Sequence, residues 1–475
     1  MVSHGMKFSV SIVSTAILAR LLTPQDYGLI GMVAVATNFV SMFKDLGLSF
    51  ATIQRSEISN EQISTLFWVN VVLSLAILVL MILLAPGVAW FYGDARLTQI
   101  TIVTSVGFLF GGLAVQHEAL LKRQMRFFSL SALAFISMTF AYLVGIALAW
   151  KGAGYWALVF SQLALLAANA LGVWLLCKWR PGLPRRNVGV KSMLTFGGNI
   201  TGYALINYFS KNSDNVLLGR FWGPQAVGLY NKAGQLLSLP TDQINEPLAA
   251  VSIPALSRLA DSPERYRSAY VRIIQKVMLL TIPGITLMMA TADWLVLLVL
   301  GPQWDQTTRI FICMGVAGLF QPLANTAGWI LVSQGRARDM LKWSIINAPI
   351  SLLAVIGGLK WGPVGIAASY ALAKVIVLNP LLFWFAGRQG PIRFTDFYKL
   401  IAPFMLASVF SLLSCLAFRR LVFVSSPIFG FTASAIITFA TTMIVLLVLP
   451  SGRAILLDIR KSFGLLRPAK DGIVA

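Results

Sequence analysis

The sequence predicts an all-α polytopic membrane protein of about 14 transmembrane helices. These form two pseudo-symmetric six-helix lobes with two further helices at the C-terminal end. Three observations predict this class. Of the 475 residues, 57% are hydrophobic and only 12% charged, with a mean hydropathy of +0.77. Apolar runs of bilayer-crossing length recur along the chain, and one turn motif returns at a spacing of about 200 residues. Soluble domains run near 25% charged, so an aqueous surface cannot be assembled from so few charges. The same numbers exclude disorder, collagen and coiled coil.

A hydrocarbon core about 30 Å thick requires about 20 helical residues. Charge-free runs of that order occupy 63–92, 97–116, 127–150, 152–177, 310–333, 400–418 and 421–450. Shorter or charge-interrupted runs occupy 8–22, 28–43, 192–218, 226–251, 273–300, 343–359 and 364–386. Backbone polar groups in hydrocarbon must be paired within their own segment, so these runs read as helices. Connections are short. The longest polar stretches, 178–191 and 254–276, are too small to bury a core, so no separate soluble domain is expected. The first run lacks an A-x-A-type site and flows into further helices, which argues against a cleavable signal peptide.

The net charge of +21 comes from 38 Lys and Arg against 17 Asp and Glu. In a soluble protein this would suggest nucleic acid. Numbering the loops alternately gives another explanation. One set holds 27 of these cations, the other 8: Arg20, Arg96, Lys151, Arg220, Arg309, Lys360, Arg419 and Arg420. That asymmetry predicts an even helix count with both termini in the cytoplasm, and it accounts for the charge without a nucleic-acid partner. Cys177, Cys313 and Cys415 are odd in number, unpaired in spacing and read as apolar packing residues. With only His4 and His117, no metal site, catalytic centre or cofactor is expected.

Segment 18–29 reads LARLLTPQDYGL and segment 218–229 reads LGRFWGPQAVGL. Arg20/Arg220, Pro24/Pro224, Gln25/Gln225, Gly28/Gly228 and Leu29/Leu229 match, each pair in the turn after the first helix of a half. A weaker echo joins 151–157 to 361–367. An even number of helices between copies keeps them in the same orientation, so the relating axis should follow the membrane normal. The expected domains are lobes 1–180 and 181–390, additional helices in 391–450 and a basic cytoplasmic tail 451–475. Two facing lobes imply a central cavity, alternating access and transport.

Ionisable residues inside a membrane are costly and mark functional sites by default. Asn199, Tyr203, Asn207, Ser210 and Asp214 recur at steps of three or four, laying a polar stripe along the seventh helix, and Lys211 can pair with Asp214. Lys232 and Gln235 lie in the eighth helix and Lys374 in the twelfth. Arg20 and Arg220 stand near helix ends, where snorkelling to the interface competes with a cavity role. The substrate-binding candidates are therefore Arg20, Asn199, Tyr203, Asn207, Lys211, Asp214, Arg220, Lys232, Gln235 and Lys374. Their cationic excess suits a phosphate or pyrophosphate. The GxxxG pairs Gly107/Gly111 and Gly198/Gly202 suit close helix packing.

Residues 18–55, 214–240 and 255–267 together resemble the bacterial lipid-linked oligosaccharide flippases of the O-antigen and colanic-acid type. These are polysaccharide exporters of the multidrug/oligosaccharidyl-lipid/polysaccharide exporter superfamily. The resemblance implies a two-lobed fold in the bacterial inner membrane. It also implies transfer of an undecaprenyl-pyrophosphate-linked oligosaccharide between leaflets for surface polysaccharide synthesis. Membrane lipids and other polysaccharide-assembly proteins are the further expected partners. Two readings compete. A cation or drug antiporter of the same superfamily needs unpaired carboxylates in its cavity, and a membrane-embedded polymerase or ligase needs a sizeable outer loop with clustered acidic, His or Arg residues. This sequence offers almost no such carboxylates, and its outer loops are tiny.

Overall fold

A computed structural model describes residues 2–42, 52, 58–185, 191–423 and 426–464, and no strand occurs among them. Among the described residues eight helices are long and apolar enough to cross a membrane, or ten if each of two bent pairs is one span. The chain is thus an all-helical, multi-pass membrane protein. One of the eight, Ala337–Gly387, is a 51-residue stretch that turns at Gly362, where φ is 68°.

The chain divides into two compact units, Met1–Asn231 with Val299–Trp304, and Lys232–Leu298 with Asp305–Ala475. The first contains α1 (Val2–Leu21), α2 (Pro24–Ser41), α3 (Asn60–Tyr92), α4 (Arg96–Ser105), α5 (Gly107–Arg123), α6 (Phe127–Trp150) and α7 (Tyr155–Leu176). It also contains the first part of α8 (Lys191–Ser257), a 67-residue run broken at Gly223, where φ is 76° and ψ −176°. The bend between α1 and α2 is 117°. Local chemistry explains it. The Thr23 hydroxyl accepts the Asp26 N–H at 3.2 Å, the Asp26 carboxylate accepts the Thr23 N–H at 2.8 Å, and Pro24 begins the new helix. That reciprocal cap satisfies two donors an apolar environment would leave orphaned. The run expected over 97–116 lies in one span, Arg96–Arg123, in which α4 and α5 join at Val106 with helical φ and ψ, and Gly107 lies where a Cβ would come within 2.7 Å of Leu166 Cδ1 on α7.

The repeated turn packs against its own copy. A Cβ on Gly28 would fall on the carbonyl oxygen of Pro224, and one on Gly228 would fall on that of Pro24. One on Gly31 would come within 2.7 Å of Asn231 Nδ2. Only glycine permits backbones to approach this closely.

The second unit contains α9 (Pro263–Ala290), α10 (Ala292–Val299), α11 (Thr307–Gly318), α12 (Gln321–Ser333), α13 (Ala337–Gly358), α14 (Gly362–Ala373) and α15 (Asn379–Gly387). A five-residue π-turn, Lys374–Leu378, joins α14 to α15, followed by α16 (Phe394–Leu421), α17 (Pro427–Val448) and α18 (Pro450–Gly464). The last helices contribute to the core of this unit. Phe397, Ile401 and Phe404 of α16 and Leu446 of α17 cluster with Ile274, Met278, Leu323 and Phe383, and Phe397 stacks on Phe383 at 4.8 Å.

A second correspondence, at an offset of 210 residues, joins Gln124-Met125-Arg126 to Gln334-Gly335-Arg336. The backbone N–H groups of Gln124, Met125 and Arg126 donate to the carbonyls of Leu120, Lys122 and Leu121, and those of Gln334, Gly335 and Arg336 to Ile330, Val332 and Leu331. Arg126 Nη1 then reaches the Leu176 carbonyl, and Arg336 Nη1 the Ala386 carbonyl, each at 2.9 Å. Both middle residues are left-handed, with φ 55° at Met125 and 66° at Gly335. The weaker sequence echo has the same character: Gly152 and Gly362 have φ of 78° and 68°.

Candidate functional site

Two of the proposed binding residues come together in the second unit. Lys232 is 5% exposed, and its ammonium donates to Gln235 Oε1 at 2.9 Å, one helical turn further along α8. Helix geometry alone aligns residues three apart, and flanking Ala233 and Leu236 are buried as well. A cation on an apolar helix is destabilising by about 3 kcal/mol at the bilayer centre, which makes a buried amine in such a helix a candidate functional position.

Lys374 is half-buried at the head of the π-turn, with Nζ 5.5 Å from the centroid of the Tyr370 ring. Pro380, which has no N–H, follows directly and disturbs the ordinary helical pairing of this segment. Leu372 and Ile376 are 60% and 61% exposed, marking the lipid-facing side. Single π-turns in long helices frequently occur at functional positions.

The remaining candidates are spread out. Arg20 is exposed in the last turn of α1, where a cation complements the helix C-terminus. Arg220 is exposed and lies over the Phe91 ring at 5.9 Å. Asp214 is half-buried in α8, and its Oδ1 accepts the Asn215 N–H at 2.8 Å. Asn199, Tyr203, Asn207 and Lys211 belong to the same helical run, but their side chains lie outside the described residues, and with them the polar stripe and the Lys211–Asp214 pair.

Several polar groups escaped sequence reasoning. On α3 and α5, Asn70, Ser74, Gln116 and His117 are fully buried, and Thr52 donates to Gln116 Oε1 at 3.0 Å. Asn169 Nδ2 donates to Glu118 at 2.6 Å, tying α7 to α5. Asp339 bridges Arg336 and Arg388, while Arg336 also reaches the carbonyls of Phe385 and Ala386. In sequence the charges of this network fall at a loop edge and look solvated. Only the fold brings α13 and α15 together around them.

Comparison with known proteins places this arrangement. A family model described as polysaccharide biosynthesis protein matches residues 17–309. The teichuronic acid biosynthesis protein TuaB of Bacillus subtilis is 25% identical over 411 residues, covering 85% of this chain and 84% of the relative. The lipopolysaccharide biosynthesis protein WzxC of Escherichia coli is 25% identical over 383 residues, covering 79% and 77%. The succinoglycan biosynthesis transport protein ExoT of Rhizobium meliloti is 21% identical over 380 residues, covering 79% and 75%. In fold, the chain is similar to the lipid II flippase MurJ in its inward closed conformation, with a TM-score of 0.75 at 13% identity over 94% of this chain and 97% of that one. It is also similar to an inward-facing multidrug resistance MATE family transporter of the MOP superfamily, with a TM-score of 0.63 at 14% identity over 83% and 96%. With more than half of its length matched, the chain belongs to the polysaccharide biosynthesis protein family.

Proposed function

We propose that this protein is a flippase of the bacterial inner membrane that carries an undecaprenyl-pyrophosphate-linked oligosaccharide from the cytoplasmic to the outer leaflet for surface polysaccharide assembly. It would work as two six-helix lobes, 1–180 and 181–390, with two added helices in 391–450, 14 spans in all. Both termini and the basic tail 451–475 would lie in the cytoplasm. The 210-residue correspondence of backbone bonds supports the lobes, and the 27-to-8 distribution of cations supports the orientation. Its partners would be the lipid-linked substrate, membrane lipids and other polysaccharide-assembly proteins, and it would catalyse no bond rearrangement.

Lys232 carries this reading. A sugar headgroup crossing hydrocarbon must be desolvated, and its hydroxyls and pyrophosphate need replacement partners. The buried ammonium of Lys232 with the Gln235 amide offers charge and hydrogen bonds in one place, and Lys374 offers a second cation. The polyprenyl tail needs no polar path and stays in lipid. Asn199, Tyr203, Asn207, Lys211, Asp214, Arg20 and Arg220 would extend the path as the lobes rock between inward and outward openings.

The test is complementation of a strain lacking the gene, scored by polymer export and by lipid-linked oligosaccharide retained at the cytoplasmic leaflet. K232Q and K374Q each lower export roughly tenfold or more, as loss of a charge-assisted contact requires, while K232R retains most of it. Full export from both Gln variants at normal protein level overturns the assignment.

A further inference from the structure

We infer that the two copies of the Pro-x-x-x-Gly turn form the outer gate of the transport path, closed here by glycine-permitted backbone contact and by a side-chain latch on the Ala19 carbonyl. The inference rests on the transport reading and on the orientation proposed above. The first observation is reciprocity. Gly28 faces the Pro224 carbonyl, Gly228 faces the Pro24 carbonyl, and Gly31 meets Asn231, its own counterpart at an offset of 200 residues. Contact of residue i with j and of j with i describes a local two-fold arrangement. Its axis passes beside Gly28 and Gly228, since a Cβ on Gly228 would also come within 3.1 Å of the Gly28 nitrogen. Weak Cα–H···O contacts are what such an approach supplies. They hold two surfaces together without making separation prohibitive, as a gate requires.

The second observation is independent. Helix α1 ends at Leu21, so the carbonyl of Ala19 is among those left without an intrahelical partner. Gln303 Nε2 and Trp304 Nε1, from a segment about 280 residues away in sequence, donate to that one oxygen at 2.7 and 2.8 Å. Trp304 is fully buried and meets the Tyr27 ring edge-on at 5.4 Å. A cap from so far along the chain adds nothing to the formation of α1 as a local helix. Its effect is to hold the end of α1 to the 299–304 segment. Opening the outer side then requires both sets of contacts to part, and closing it restores them. Lys232, the cation proposed to hold the substrate, follows Asn231 directly in the sequence.

The test uses the full chain in intact cells, with its three native cysteines replaced by alanine and a reporter cysteine at Leu29, which is fully buried beside the crossing. A membrane-impermeant maleimide is added from outside. The reporter reacts slowly in the parent. G228A places a methyl group on the Pro24 carbonyl and raises the labelling rate by roughly tenfold, because a population shift appears directly in access. The double variant Q303L/W304F, which adds no bulk, raises it by roughly fivefold, as lost hydrogen bonds predict. G284A, where a Cβ meets nothing within 4 Å, leaves the rate unchanged. Labelling unaltered in G228A and in Q303L/W304F at parental protein level overturns the gate, and the double variant decides alone if G228A does not accumulate. Export by the unmodified chain is scored in parallel. Its absence removes the transport reading, whereas the labelling rates report only on the gate.

Discussion

Met125 is, among the described residues, the single non-glycine with a left-handed backbone, at φ 55°. A Cβ in that region meets the following carbonyl and costs of order 1 kcal/mol. The side chain returns little, because it is 73% exposed. Its counterpart Gly335 takes the same conformation without the penalty. M125G should therefore raise stability by about 1 kcal/mol, and G335A should lower it by a similar amount. Thermal unfolding of detergent-solubilised protein, followed by aggregation onset, checks both signs. The position also shows what sequence reading missed. The 210-residue correspondence is carried by backbone bonds and one Arg-to-carbonyl contact, and only Gln and Arg flank the point where Met replaces Gly. By contrast Pro24/Pro224 and Gly28/Gly228 were legible, because proline and glycine are required there by the backbone itself. Lys232 and Lys374 were legible for a different reason: a cation in an apolar run is conspicuous wherever the helix turns it.

At the scale of elements, turns decide where the long apolar runs stop. The α3–α4 turn ends α3 with Gly93 in a left-handed cap, and Asp94 accepts from Arg96 Nε at 3.0 Å and from Nη2 at 2.7 Å. The hydrogen bond from Arg96 holds the Asp94 carboxyl below its ordinary range, against a smaller opposing effect of burial. A carboxyl whose folded pKa is depressed contributes stability above its unfolded value, near 4. That contribution disappears as pH falls through the folded value. D94N should thus lose a little stability at neutral pH and show a flatter decline below about pH 4 than the parent. Melting temperatures of the two proteins across that range test the sign, and parallel curves would refute it. The exposure of Arg96 keeps the effect modest. Residues 97–116 contain no proline or charge, and α4 and α5 accordingly continue one another as a single span, with Gly107 seated against α7. The 42° bend between α11 and α12 lies within the charge-free run 310–333, where Pro322 in the first turn of α12 marks it in the sequence.

For the molecule as a whole, the informative region is the C-terminal end, read from sequence as two helices added to a complete pair of lobes. Helix α16 places Phe397, Ile401 and Phe404 in the middle of the second unit's core, and Leu446 of α17 and Ile455 of α18 join the same cluster. Two polar ties reinforce it. Arg267 on α9 reaches Asp396 at 2.7 Å, and Arg419 on α16 pairs with Asp293 on α10 while its guanidinium lies 4.3 Å from the centre of the Trp294 ring. A Cβ on Gly430 would come within 2.6 Å of the Trp294 ring, so α17 is seated against it as well. In lipid the hydrophobic effect between helices is small, and close packing with interhelical polar contacts does the holding. Removing α16 to α18 would take away packing partners that lipid chains replace poorly in shape and would leave Asp293 and Arg267 without these contacts. A chain ending after Gln389 should therefore fail to accumulate in the membrane, while one ending after Gly464 accumulates normally. F397A in the full chain, which opens a cavity beside Phe383, should cost about 3 kcal/mol. Membrane-fraction immunoblots and size-exclusion profiles distinguish the outcomes. If the chain ending after Gln389 is monodisperse and exports polymer, these helices are accessory after all, and the second unit must be stable without the core they complete.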